Sequence, residues 1–256
     1  MGRMKCEFRR EVAKAFSNLV KPEPEILRME DLMGLPELIR NYIVLSGFVG
    51  KPKILGFKAE YTGGIRGKSI EPFMKMNSSQ YNIIEPSTRL FYIVARKMGI
   101  PAYGLHFYKE YTATFRVRLL GLFKVVDASG LKLDQSETVT LFNDMCVMAP
   151  ASLIDERISW QVLDNSRIKA TFSNGPHTIS AVLTFNEAGE LVDFISNDRY
   201  DTNGVEYHLY PWRTPIEQYV DINGYHLPCK ARLIYDKPDE ELCYGEFILK
   251  NIEYLN

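Results

Sequence analysis

Few residues of this chain combine a reactive type with a spacing that would let them act together. His106, His177, His208 and His226 are strung out without an HxH or HExxH arrangement, so the pattern offers no zinc site built from three of them. Cys6, Cys146, Cys229 and Cys243 form no CxxC pair and read as reduced thiols of a cytoplasmic protein. No GxSxG, GxxxxGK[ST] or GxGxxG pattern is present, which leaves nucleophile-elbow, P-loop and dinucleotide chemistry without a motif. Asp127 follows the apolar run Leu122, Phe123, Val125 and Val126. Its carboxylate could serve as a general base or ligand anchor, or close an ordinary Asx turn through Asp127-Ala128-Ser129-Gly130. Arg199, in Asp198-Arg199-Tyr200-Asp201, could grip an anionic head group bidentately or pair with a neighbouring Asp. Trp160, Trp212 and Tyr219 could line a cavity, although aromatics in strands commonly fill a core.

The totals bound what these residues can serve. Lys and Arg number 31 against 32 Asp and Glu, and no basic face interleaved with aromatics stands out, so nucleic acid is not an expected partner. Charged residues make up 25% and hydrophobic residues 46% of the chain, values of a folding globular protein rather than a disordered one. The N-terminal MGRMKCEFRREVAKAF is basic but lacks a following apolar stretch. It therefore reads as neither a secretory signal nor a transmembrane segment, which points to the cytoplasm.

The elements that must position any site fall into two groups. Residues 1–52 read as a helical segment: Phe8, Val12, Ala15, Phe16 and Leu19 form one stripe, and a second helix starts at Pro36 and ends at Gly47. From residue 53 to 256 the period shifts to two. Segments at Leu55–Tyr61, Arg89–Ala95, Tyr103–Tyr111, Thr112–Leu120, Leu122–Val126, Ile158–Asp164, Arg167–Phe172, Thr178–Phe185, Leu191–Ser196, Val205–Tyr210, Tyr225–Tyr235 and Glu246–Tyr254 are rich in aromatic and β-branched residues. Turn signals separate them at Gly63-Gly64, Ser173-Asn174-Gly175, Glu187-Ala188-Gly189, Thr202-Asn203-Gly204, Asn223-Gly224 and Lys237-Pro238-Asp239. The expected fold is mainly β (α+β), a long antiparallel meander of ten or so strands by the spacing rule.

One interruption breaks that meander, near residues 134–148. Asp134 and Glu137 stand in capping-box-like spacing before Val139, Phe142, Met145, Cys146 and Ala149, which share a helical face. A long sheet must cover its apolar side. The helix is thus either a permanent filler of the core or an adaptable lid over a curved sheet, a use to which Met145 and Met148 are suited by their flexible thioethers.

Several stretches resemble a family of uncharacterised bacterial proteins. They are Leu35-Pro36 with Tyr42, Ser46-Gly47, Gly50-Lys51-Pro52, LFKVVDASG from Leu122, ATFSNGPHTISAVLTFNEAGELVDF from Ala170, Asp198-Arg199-Tyr200, Pro211-Trp212 and GYHLPCKARLIY from Gly224. LTFNEAGEL and YHLPCKARLIY also look like the bacterial lipoprotein-carrier (LolA/LolB-like) half-barrel, a curved antiparallel sheet closed by helices around an apolar cavity. The resemblance implies a fold more than an activity.

The leading expectation is non-catalytic binding of a lipid-like or hydrophobic small molecule, with no cofactor and no metal. Phe142, Met145, Met148, Asp127, Trp160, Arg199, Trp212 and Tyr219 are its expected contacts. Two alternatives stand beside it: an enzyme in which Asp127, Arg199 and a histidine converge, and a structural or interaction protein with a filled core.

Overall fold

The structure, a computed structural model, describes residues 2–19, 23–202 and 205–256. Two helices, α1 (Arg3–Ser17) and α2 (Glu37–Leu45), precede six strands: β1 (Gly56–Ile65), β2 (Met74–Ile83), β3 (Thr88–Lys97), β4 (Ile100–Lys109), β5 (Thr112–Leu119) and β6 (Phe123–Ser129). Helix α3 (Leu131–Met148) and a 3-10 turn at Pro150–Ile154 follow. Then come β7 (Ile158–Val162), β8 (Arg167–Asn174), β9 (His177–Phe185), β10 (Leu191–Ser196), β11 (Tyr200–Thr202), β12 (Tyr207–Leu209), β13 (Trp212–Arg213), β14 (Ile216–Ile222), β15 (Tyr225–Asp236) and β16 (Glu241–Leu255).

Fourteen strands form one sheet in the order β6-β5-β4-β3-β2-β1-β16-β15-β13-β10-β9-β8-β7, with β14 on β15, while β11 and β12 pair separately. The sheet is antiparallel and curls into a half-barrel. Its first and last strands meet in the middle, where β1 pairs β16 from Gly56↔Leu255 to Ile65↔Gly245. Its two outer edges, β6 and β7, are joined by α3. At roughly 1.5 Å per residue a helix of eighteen residues spans about 27 Å, enough to cross the hollow between those edges. Gly130, at φ +106, makes the sharp break from β6 into α3 that a side chain would resist.

Helix α3 fills the hollow rather than capping it: fourteen of its eighteen residues are buried. That settles why its apolar periodicity is weak, since a helix surrounded on all sides needs no polar outer stripe. Phe142 stacks on Phe172 with ring centroids 5.1 Å apart and lies 5.8 Å from Phe194. Helix α2 closes one end, where the Tyr42 hydroxyl donates to the Cys146 carbonyl at 3.0 Å and the ring meets Phe185. Helix α1 packs outside: Phe8 contacts Tyr81, Tyr92 and Phe107, and Glu7–Arg116 and Glu11–Lys109 ion pairs fix it to the convex face. Its stripe is therefore spent within the chain and is not a docking surface for a partner.

Several local expectations are corrected. Gly63-Gly64 lies inside β1, not in a hairpin turn. Strands β2 and β14 were hidden because polar stretches such as Lys75-Met76-Asn77-Ser78-Ser79-Gln80 carry their burial on one face only. Asp134 does not cap α3, whose N-cap is Gly130; its Oδ1 instead accepts the Ala113 amide at 2.6 Å. Asp127 sits in β6 rather than an Asx turn. The turn expected at Thr202-Asn203-Gly204 includes residues 203 and 204, outside the described residues.

Candidate functional site

Strand pairing arranges the concave face of β1–β6 in four rows. The first runs Phe57, Asn82, Arg89, Tyr108, Ala113; the second Ala59, Gln80, Phe91, His106, Phe115, Ala128. The third runs Tyr61, Ser78, Ile93, Gly104, Val117, Val126; the fourth Gly63, Met76, Ala95, Ala102, Leu119, Phe123. Because side chains alternate faces along a strand, the polar members of the first two rows all face α3. The last two rows are apolar or small.

Under α3 the polar members form a buried ionic cluster. Arg89 Nε donates to Asp144 Oδ2 at 2.7 Å, and the same oxygen accepts from Gln80 Nε2 at 2.7 Å and Asn82 Nδ2 at 3.0 Å. Glu137, just under two turns earlier on α3, lies 3.5 Å from Arg89 Nη1, 3.6 Å from Arg199 Nη2 and 3.1 Å from His106 Nε2. Thr140 donates to Glu137 Oε1 at 3.1 Å and accepts from Arg199 Nε at 3.1 Å. Arg199 also donates to the Tyr235 hydroxyl and lies over the Trp212 ring at 4.7 Å.

The electrostatics follow from burial. Loss of water pushes Asp144 up, although Arg89 beside it pulls the other way. Burial opposes the charge on Arg89, but the Asp144 and Glu137 carboxylates outweigh it and raise its value. His106 is driven well below the usual imidazole range by burial and then by the Arg89 and Arg199 charges, so it stays neutral at pH 7. Two guanidinium groups thus face two carboxylates, a balanced set that ties α3 to the sheet. A buried pair of this kind stabilises only if all its partners are present.

The expected contact residues are dispersed. Phe142 and Met145 are buried in the core around α3. Met148, at the end of α3, lines a cavity of about 30 Å³ with Tyr61, Pro228, Cys229, Phe247 and Leu249. Arg199 belongs to the ionic cluster and pairs with Glu137, not with a neighbouring Asp. Trp212 is buried beside Phe194 and donates to the Tyr244 hydroxyl at 3.0 Å. Tyr219 donates to the Leu191 carbonyl and stacks on His226, which sits between Asp221 and Glu190. Trp160 is half-buried on the β7 edge opposite Ala170. Asp127 is on the convex side with Arg118 at 2.9 Å and Lys124 at 3.6 Å, across the sheet from Arg199 and His106. The trio Asp127, Arg199 and histidine therefore does not converge.

Of this cluster, Gln80, Asn82, Arg89 and Asp144 did not stand out in the sequence, and Glu137 did so only for its capping-box-like spacing. A signal existed: Gln80 and Asn82 alternate on one strand face, and Glu137, Thr140 and Asp144 recur at three, four and seven residues, one helical stripe. A second cavity, about 180 Å³, lies away from the cluster among Leu27, Lys53, Ile54, Ile84, Ala151 and Ile154. Both cavities fall below the roughly 300 Å³ of an ordinary ligand pocket. No grouping of three or more His, Cys, Asp or Glu suited to a metal occurs among the described residues, and no helix there is long and apolar enough to cross a membrane.

Fold and site together define a curved antiparallel half-barrel whose hollow holds an ionically anchored helix. The chain belongs to a family of unknown function, DUF6544, which it matches over residues 25–247. It is also similar to the crystal structure of a DUF1329 family protein from Desulfovibrio piger ATCC 29098, at 12% identity and a TM-score of 0.49 over 85% of this chain and 90% of that one. No curated protein matches it.

Proposed function

We propose that the protein holds an elongated apolar molecule, such as an acyl chain, along the third and fourth rows of the concave face. The observation that carries this reading is the composition of those rows: Gly104, Ala95 and Ala102 stand among Ile93, Val117, Val126, Leu119 and Phe123, and exposure increases from β3 toward β6. Small residues in the middle of a curved sheet leave width for a guest, and half-exposed apolar side chains gain by being covered, at about 25 cal/mol per Å². At Gly104 the space is already taken by Ile93, whose Cγ2 would lie 2.6 Å from an added Cβ, so the width for a guest lies at the half-exposed Ala102. The Ser78 hydroxyl, buried in the third row, has no hydrogen-bond partner and offers one polar contact to a ligand. Met148 and its small cavity supply the inner end. The other residues expected from the sequence already have partners elsewhere and are not part of this proposal.

Solvent extraction of the purified protein followed by mass spectrometry tests the reading. A fatty-acyl species near one per chain is expected, and Ala102→Trp, which fills the fourth row from a half-exposed position, should release it without lowering Tm. Recovery of no apolar species, together with no binding of a fluorescent polyene fatty acid, refutes the reading.

A further inference from the structure

The meander places three loops at the same end of the sheet: residues 66–73 between β1 and β2, residues 98–99 between β3 and β4, and residues 120–122 between β5 and β6. Each projects large apolar side chains into solvent. Met98 is 95% exposed, Ile70 92%, Leu122 77% and Phe123 62%, with Ile100 and Leu120 also exposed. Single exposed apolar residues are ordinary, but six at one rim of one sheet make a patch.

The backbone adds a second observation. Met98 and Leu120 occupy left-handed conformations, at φ +51 and +54. Tight hairpin turns fill such positions most easily with Asn, Asp or Gly. Two bulky apolar residues therefore stand where local turn chemistry favours small polar ones, the kind of local conflict that marks a functional position.

Charge around the patch is mainly basic from the 66–73 loop to β6. Arg66, Lys68, Lys75, Arg96, Lys97, Arg118 and Lys124 border these loops, whereas the acidic residues of the same strand ends are Glu71, paired with Lys97, and Asp127, paired with Arg118 and Lys124. The acidic β15–β16 turn, with Asp239, Glu240 and Glu241, adjoins the rim at its β1 end, where Ser69 Oγ donates to the Glu241 carbonyl and Glu241 pairs with Arg213, so the basic border runs from the 66–73 loop toward β6. Apolar tips within a basic border match the interface of an anionic bilayer, where the tips enter the acyl boundary and the Lys and Arg meet lipid phosphates.

We propose that this rim, formed by the three loops of β1–β6, docks the protein on an anionic membrane surface. The mouth of the trough would then face the bilayer, because Leu119 and Phe123 belong both to the fourth row and to the rim. The docking does not depend on what the trough holds.

The test is sedimentation of the full chain with vesicles of phosphatidylcholine alone or with phosphatidylglycerol added. Binding to the anionic vesicles is expected, with little to neutral ones and loss at high salt. Met98→Asp with Leu122→Asp, and separately Lys68→Glu with Lys124→Glu, should each weaken it roughly tenfold or more, while Tm and any extracted apolar species stay unchanged. The substituted side chains are solvent-exposed, so folding is not at stake. Equal binding by these variants, no binding by the parent chain at low salt, or a dimer in sedimentation velocity that Leu122→Asp abolishes would each overturn the proposal. Loss of the ligand reading alone would leave vesicle binding intact.

Discussion

Arg89 and Asp144 meet at 2.7 Å with both side chains largely shielded from solvent, so neither can be removed without stranding the other. Replacing Arg89 by Met leaves the Asp144 and Glu137 carboxylates without their nearest cation. A loss of about 3–5 kcal/mol in urea unfolding is expected. That loss should shrink toward pH 5, because the stranded Asp144, already raised by burial, can then take up a proton. Asp193 makes the opposite case. Burial lifts its carboxyl to about 6, against the pull of Arg213, so the folded chain holds this proton more tightly than the unfolded chain does. The contribution favours folding below about pH 4 and is lost as pH climbs through 6. Asp193→Asn should therefore raise Tm at pH 8 by about 2–4 °C, the size of a roughly 1 kcal/mol effect in a chain of this length, with solvent screening at the half-buried group limiting the gain. The difference should vanish near pH 4. A pH-independent shift would show that Asp193 acts through packing instead.

At the scale of elements, α3 decides whether the hollow is a lidded pocket or a filled core. Its burial, its stacking of Phe142 on Phe172 and its ionic ties to β2 and β3 all oppose opening. Phe142→Ala should cost about 3–5 kcal/mol, as truncation of a fully packed core aromatic does, read from chemical denaturation at constant m-value. A loss below 1 kcal/mol would mean that α3 is loosely held and restore the lid. The helix was legible in the sequence near its true limits, since a Met-rich run ended by Pro150 stands out among alternating strands. Its polar stripe was legible too but unread, because Glu137, Thr140 and Asp144 gain meaning only once Arg89 and Arg199 stand opposite.

At the scale of the molecule, one architecture follows from the order of strands: β1–β6 form one meander, β7–β10, β13, β15 and β16 continue the sheet from the other edge, β1 and β16 pair at the seam, and α3 links the two outer edges. The same order lines the β1–β6 loops along one rim and turns four rows of side chains toward the interior. The proposed ligand trough and the proposed docking rim both rest on that arrangement. No single segment contains either.

The sequence by itself determined what is local: the two-residue alternation that makes strands, the Gly and Asn turns between them, the N-terminal helices, the helix across residues 134–148 and the mainly antiparallel fold. These depend on neighbours a few positions apart, so their pattern is written along the chain. Only the tertiary structure decided which residues meet. Arg89 on β3, Glu137 and Asp144 on α3 and Arg199 in the β10–β11 connection are brought together across some 110 positions of the chain, and Asp127 and Arg199, equally eligible as chemistry, end on opposite faces. The physical reason is register: a one-residue change in strand pairing reverses every side chain's face, and register is fixed by packing around α3 rather than by any residue read alone.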